Sequence, residues 1–253
     1  MVQSVDRALT IIKIVSSRKE GIGVTELANK LGLNKSSIFR ILETLTAHGF
    51  VEQNKETKKY KLGYQVLELS TKLLESIDIR KEAIPFLREL EEISNEVIHL
   101  VTYFQKEAVY IEKLEGHETL RMHSQVGRRA PMHCTSAGKV ILANLPKNEA
   151  IEIIQQTGLP RHTDKTITTE KELLENLVMI KEQGYGIERE ENETGITCIA
   201  APIFNHRGEI AGAISISGTA LRMNDDKIAA IKDKLIEVGT RVSQRLGYAS
   251  KDL

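Results

Sequence analysis

Three groups of side chains carry chemistry by their type and spacing. Lys35, Ser36, Ser37, Arg40 and Thr44 combine short hydroxyls with two cations, and no acid intervenes before Glu43. Such a mixture suits the phosphate oxygens and base edges of duplex DNA. Ser136-Ala137-Gly138 stand at the expected start of a helix. Unpaired backbone N–H groups there attract an anion without a large cationic side chain, although Arg128 and Arg129 are nearby in sequence. Ser136 also reads as the cap of that helix, a role compatible with touching a ligand. The third group is thiol and imidazole: His133-Cys134, with Cys198, His123 and His162 elsewhere. Adjacent residues rarely give a thiol nucleophile and its base, and no acid is placed to orient the imidazole, so a GAF-like enzyme is only an alternative. The same soft ligands show neither C-x-x-C nor H-x-x-x-H spacing. The expectation is therefore no metal and no cofactor, with convergence in space left open. A redox-responsive Cys198 needs local positive charge, and Glu188-Arg189-Glu190-Glu191 argues against it.

The N-terminal elements must position the first group. The chain has 253 residues with 35 Lys+Arg and 35 Asp+Glu. Residues 1–75 nevertheless hold 12 basic and 8 acidic side chains, a basic module on an acidic body. That asymmetry suits a polyanion partner for the N-terminus alone. Periodicity predicts a helix over 4–17 with Val5, Ala8, Leu9, Ile12 and Val15 on one face. A second helix carries Val24, Leu27, Ala28 and Leu31. Gly32-Leu33-Asn34 is a turn, with Gly32 ending one helix and Asn34 capping the next. The third helix, over 35–48, buries Ile38, Ile41, Leu42 and Leu45. Two short helices about such a turn form a helix-turn-helix, whose second member enters the major groove. Strands over 50–53 and 59–62 then make a wing, with Lys55, Lys58, Lys59 and Lys61 near the duplex backbone. Gln3 and Ser4, at the start of the first helix, join the DNA-facing set.

Residues 64–77 read as a linker helix with Val66, Leu69 and Leu73 beside Leu67 and Leu74. So broad an apolar arc needs cover on more than one side, and a second copy of the same helix supplies it. Beyond it, helix and strand patterns alternate as α+β. A helix over 80–94, with Ile84, Leu87, Leu90, Glu91 and Ile93 placing its inner face, is followed by strands over 97–104, 108–114 and 119–124. Helices then cover 136–145, 147–157 and 170–183. Strands over 185–190, 197–204 and 209–217 come next, the last two joined by a hairpin at Asn205-His206-Arg207-Gly208. A helix over 224–246 closes the chain. There is no GxGxxG or Walker A motif. Two cysteines make no disulfide framework, the opening is not a signal peptide, and no run reaches the roughly 20 apolar residues of a membrane span. The expectation is a cytoplasmic protein with no membrane partner.

The stretches QSVDRALTIIKIV, ELANKLGLNKSSIFRILETL and YKLG resemble the DNA-binding domain of IclR-type regulators. Gly127-Arg128-Arg129-Ala130-Pro131-Met132-His133-Cys134-Thr135-Ser136-Ala137-Gly138-Lys139 and Gly195-Ile196-Thr197-Cys198-Ile199-Ala200-Ala201-Pro202 resemble the family's second domain. The resemblance spans nearly the whole chain. It implies a winged helix-turn-helix over 1–63, a linker helix over 64–78 for dimerisation, and a GAF-like antiparallel sheet domain over 79–253. It also implies a homodimer or dimer of dimers, double-stranded operator DNA and a small organic acid as effector, in a regulator without enzymatic activity. In the family the ligand sits against the helix start and faces the later strands. The matching positions are Ser136, Ala137, Glu188 and Cys198, with Met122, Gly127 and His133 as further wall residues. Some relatives carry Asp where Glu188 stands.

Overall fold

Apolar spacing builds the first unit. Ile11 and Val15 of α1 (Gln3–Ser16), Leu27 and Ala28 of α2 (Val24–Leu31), and Ile38, Leu42 and Leu45 of α3 (Lys35–Ala47) bury one shared core. The expected stripe on α1 is turned by one position. Val5 and Leu9 are exposed, because Ile11 and Val15 point inward with Ala8 and Ile12 beside them. Gly32 takes φ +62 after α2, a left-handed conformation that costs a side chain strain. Asn34 then caps α3, its Oδ1 accepting from the Ser37 N–H at 2.8 Å. A hairpin of β1 (Val51–Gln53) and β2 (Tyr60–Leu62) completes the wing. Helix α4 (Tyr64–Ser76) follows. The structure is a computed structural model and describes residues 2–76, 78–116 and 124–249, with side chains for all of these except 73–76.

Two compact units result, Met1–Ile77 and Asp78–Leu253. The second is built on a six-stranded antiparallel sheet in the order β5-β4-β3-β8-β7-β6. Its strands are β3 (Val97–Phe104), β4 (Glu107–Leu114), β5 (Arg129–Ala130), β6 (Gly186–Arg189), β7 (Ile196–Phe204) and β8 (Ile210–Thr219). Helices α5 (Ile79–Ser94), α6 (Ser136–Asn144), α7 (Lys147–Thr157), α8 (Glu170–Gln183) and α9 (Asp225–Arg245) flank it. Successive residues of a strand face opposite ways. Ala200 of β7 joins the core around α6 and α8, whereas Ala201 meets α9 at Gly239. The sheet is thus sandwiched, with α6 and α8 on one side and α9 on the other. Helix α6 is buried from Ser136 to Ala143. Gly138 lets it seat this deeply, since a Cβ there would stand 2.6 Å from Met132 Cα and Pro131 O.

Three expectations need correction. Thr135, not Ser136, caps α6: its Oγ1 accepts from the Gly138 N–H at 3.1 Å and donates to Pro131 O at 2.6 Å. Ser136 is left as the first helical residue. Ile93 is exposed, because α5 buries Ala83, Leu87, Leu90 and Ser94 instead. The strand expected over 119–124 falls outside the described residues except at Ser124, which is not in a strand, and the short β5 was not foreseen. No described helix is long and apolar enough to cross a membrane.

Candidate nucleic-acid interface and effector cavity

In the first unit, Lys35, Ser36, Arg40 and Thr44 are exposed on α3, as are Gln3 and Ser4 at the start of α1. A shallow groove of about 650 Å³ between these helices brings Ser4, Ser37, Arg40 and Thr44 together. Arg7 also lines it and was not anticipated, because it lies on the half-buried side of α1. Ser36 Oγ donates to Asn34 Oδ1 at 2.9 Å and Thr44 Oγ1 to Arg40 O at 3.0 Å. Their orientations are therefore set before any ligand arrives. Lys58 and Lys59 are exposed in the wing, away from the groove, with Lys58 at φ +57. Phe39 is 53% exposed on the same helix as Arg40. Sorting residues into apolar core and polar surface passes over it.

In the second unit, strand register assembles a polar row on an otherwise apolar sheet. Glu188 of β6 pairs with Cys198 of β7, and Cys198 pairs with Ser217 of β8. Two residues along, Ser215 pairs with His99 of β3 on the same face. The N-terminus of α6 covers this row, and a cavity of about 260 Å³ lies between them. Ser136, Ala137, Glu188 and Cys198 all line it, together with His99, Tyr110, Asn192, Ser215 and Ser217. Arg128 and Arg129 are also at its wall, the latter ion-paired with Glu107.

The electrostatics are mixed. Among the described residues the Ser136 and Ala137 N–H groups have no acceptor, Gly138 being served by Thr135. The positive end of α6 therefore faces the cavity uncompensated. Opposite it, burial pushes the Glu188 carboxyl up to about 7, held back by the Asn192 N–H, Cys198 and the Glu191 N–H. His99 is pushed down to about 3, chiefly by burial and then by Lys113, so it is neutral. Its Nε2 meets Ser124 Oγ at 2.7 Å and its Nδ1 meets Ser217 Oγ at 3.4 Å. Burial and then Glu188 raise the Cys198 thiol well above its ordinary value. Cys134 is pushed to about 12 by burial and then by Glu188 and Glu191. Neither thiol is a thiolate at neutral pH, which disfavours nucleophilic or redox-sensing chemistry at both.

Of the other expected wall residues, Gly127 and His133 lie elsewhere. Gly127 sits at φ +88 in an exposed turn, where its N–H donates to Tyr110 O at 2.7 Å. His133 is buried and does not line the cavity, its Nε2 bonded to Pro160 O at 3.0 Å. Met122 and His123 lie outside the described residues. His99, Ser215 and Ser217 went unnoticed because polar residues on apolar strands read as ordinary core.

Comparison with known proteins covers both units. Residues 71–244 match the family described as the bacterial transcriptional regulator IclR C-terminal domain, and residues 4–55 match the IclR helix-turn-helix domain. The chain is 35% identical over 248 residues to the HTH-type transcriptional regulator XynR of Escherichia coli, covering 98% of each. It is 36% identical over 247 residues to the regulator KdgR of Dickeya chrysanthemi, covering 98% of this chain and 81% of that one. The crystal structure of Thermotoga maritima IclR superposes with a TM-score of 0.66 at 32% identity, over 98% of this chain and 100% of that one.

Proposed function

The chain belongs to the IclR family of DNA-binding transcriptional regulators, and from that premise we propose that it is a repressor released from, or fixed on, its operator by a small organic acid. The reading rests on one arrangement above all. Two unpartnered N–H groups at the start of α6 face the Glu188–Cys198–Ser217 row across a cavity of about 260 Å³. That volume is below the roughly 300–1,000 Å³ of drug-sized sites, so it suits a small metabolite. A ligand carboxylate takes the Ser136 and Ala137 N–H groups. Glu188, Ser215 and Ser217 are left to hydrogen-bond hydroxyl or keto oxygens on its far side. The repressor sense is supported by relatives such as AllR of Escherichia coli, a transcriptional repressor 31% identical over 245 residues.

Duplex DNA is met by α3, with Lys35, Ser36, Ser37 and Arg40 inserted toward base edges and phosphates. Lys58 and Lys59 of the wing, with Gln3 and Ser4, hold the flanking backbone. Two copies pair through α4 and present two recognition helices to a two-fold operator, about 34 Å apart per turn of DNA. The protein acts in the cytoplasm by binding rather than turnover. The effector must bind two states of the dimer unequally, and operator affinity changes by the same factor.

A thermal-shift screen of small carboxylic acids and sugars tests the site. A ligand at 100 times its Kd stabilises the folded state by about 2.7 kcal/mol. The expected hits are small hydroxy or keto acids. Ser136→Trp should abolish the shift while operator binding persists without effector response. A full shift in that variant would move the ligand elsewhere.

A further inference from the structure

The His133 and Cys134 side chains are neighbours in sequence, and the fold brings His162 to them from the loop after α7. One nitrogen of each imidazole and Cys134 Sγ all lie within 4.8 Å of one another. None of the three lines the effector cavity. We propose that His133, Cys134 and His162 form a separate binding site for a divalent transition-metal cation of the zinc type.

Four observations carry this. One sulfur and two imidazole nitrogens are the borderline-soft donor set that such cations take. Bonds of about 2.0–2.3 Å in a tetrahedron put ligands about 3.3–3.8 Å apart. The outer bound of 4.8 Å found here is wider by about 1–1.5 Å, so the exposed His162 side chain must move inward when the metal binds. Orientation is the second observation. Pro160 O can only accept, so its 3.0 Å contact fixes the proton of His133 on Nε2 and frees the Nδ1 lone pair. A backbone carbonyl on the far nitrogen is the usual brace of a metal-bound histidine.

Charge is the third. Glu191 adjoins Asn192, whose Oδ1 accepts from Cys134 Sγ, and a carboxylate there favours a cation beside the sulfur. Lys139 Nζ takes Glu191 Oε1 at 2.5 Å, while Glu191 Oε2 has no hydrogen-bond partner among the described residues. Preorganisation is the fourth. The His162 and Thr163 N–H groups donate to Thr166 Oγ1 at 3.0 and 2.8 Å, and that hydroxyl donates to Glu191 O at 2.6 Å. The loop bearing the exposed ligand is thus tied to the turn whose Asn192 Oδ1 accepts from Cys134 Sγ at 3.6 Å. On binding, the Cys134 S–H bond breaks, a sulfur–metal bond forms and one proton passes to solvent. Water fills the fourth position.

The test uses the full-length, tag-free chain stripped with chelator and titrated with Co²⁺, then Zn²⁺. Expected are one equivalent of Co²⁺, a thiolate-to-cobalt charge-transfer band, one proton released per metal, and displacement by Zn²⁺. Cys134→Ser should lose the band and the proton. His162→Ala changes a surface side chain and should weaken Zn²⁺ at least tenfold in competition with an indicator dye. Absence of stoichiometric binding, a band that survives Cys134→Ser, or wild-type affinity in His162→Ala would each overturn the site.

Discussion

Glu188 is the side chain through which pH acts on the second unit. Its carboxyl titrates at about 7 when folded and near the ordinary 4.5 when not, burial being the main cause. Between those values the folded chain keeps a proton that the unfolded chain has released. The stability contributed by this group is therefore full below about pH 4.5 and lost as pH rises through about 7. The difference between those two values is worth something on the order of 3 kcal/mol. Glu188→Gln keeps an oxygen for the Glu191 and Asn192 N–H groups but cannot ionise. The variant should match the wild type near pH 4 and exceed it by up to about 3 kcal/mol near pH 8. Urea midpoints for the C-terminal unit measure the gap; one that fails to widen with pH refutes the buried-acid account. In the sequence, Glu188 and Cys198 stand out only through family resemblance, and Ser136 through the look of a helix start. The spacing of Glu188, Cys198 and Ser217 along the chain does not reveal that strand pairing sets them side by side. Nor can it separate Thr135 from Ser136 as the cap, since both carry a hydroxyl and only the close seating of Gly138 decides between them.

At the scale of elements, α3 combines a fixed start with an exposed cationic face. Asn34 holds the Ser37 N–H and the Ser36 hydroxyl, so the first turn is ordered where the proposed DNA contact lies. Arg40 lies one turn further on and is exposed. Arg40→Ala should leave the melting temperature unchanged and weaken operator binding by about 1–3 kcal/mol, the worth of a good base contact. Should Arg40 hold a phosphate instead, the loss is uniform across sequences and the salt slope falls by about one. Gel shifts at several salt concentrations separate the two, and unchanged affinity in the folded variant removes α3 from the interface. The helix-turn-helix was legible because its punctuation is local: a left-handed glycine, an asparagine cap and a stripe at three- and four-residue spacing. The inner face of α1 was not, since Val5, Leu9 and Ile11 are all apolar and only packing against α3 and β2 selects among them. Exposed Val5 and Leu9 beside buried Ile11 follow the rule that apolar residues also stand on surfaces.

For the whole molecule, the proposed assembly turns on α4, which exposes several apolar side chains. Tyr64 is 75% exposed, Leu67 61% and Leu69 46%. A second copy of α4 is the cover proposed above, and by two-fold symmetry it is self-complementary. The pairing proposed above also makes operator binding bivalent. Once one recognition helix is seated, its twin meets the second half-site at a high effective concentration, worth about 10²–10⁴ in affinity. Leu67→Glu places a charge on that face, where a second copy would bring a like charge close by. The variant should sediment as a smaller species and lose about 10²–10⁴ in operator affinity, while the thermal shift with a cavity ligand survives. The loss of DNA binding would then come from assembly and not from folding of either unit. A variant that sediments like the wild type would show that α4 is covered in some other way. The two-fold operator geometry would then have to come from the C-terminal unit, whose net charge is acidic and whose apolar core is already spent on its own sheet.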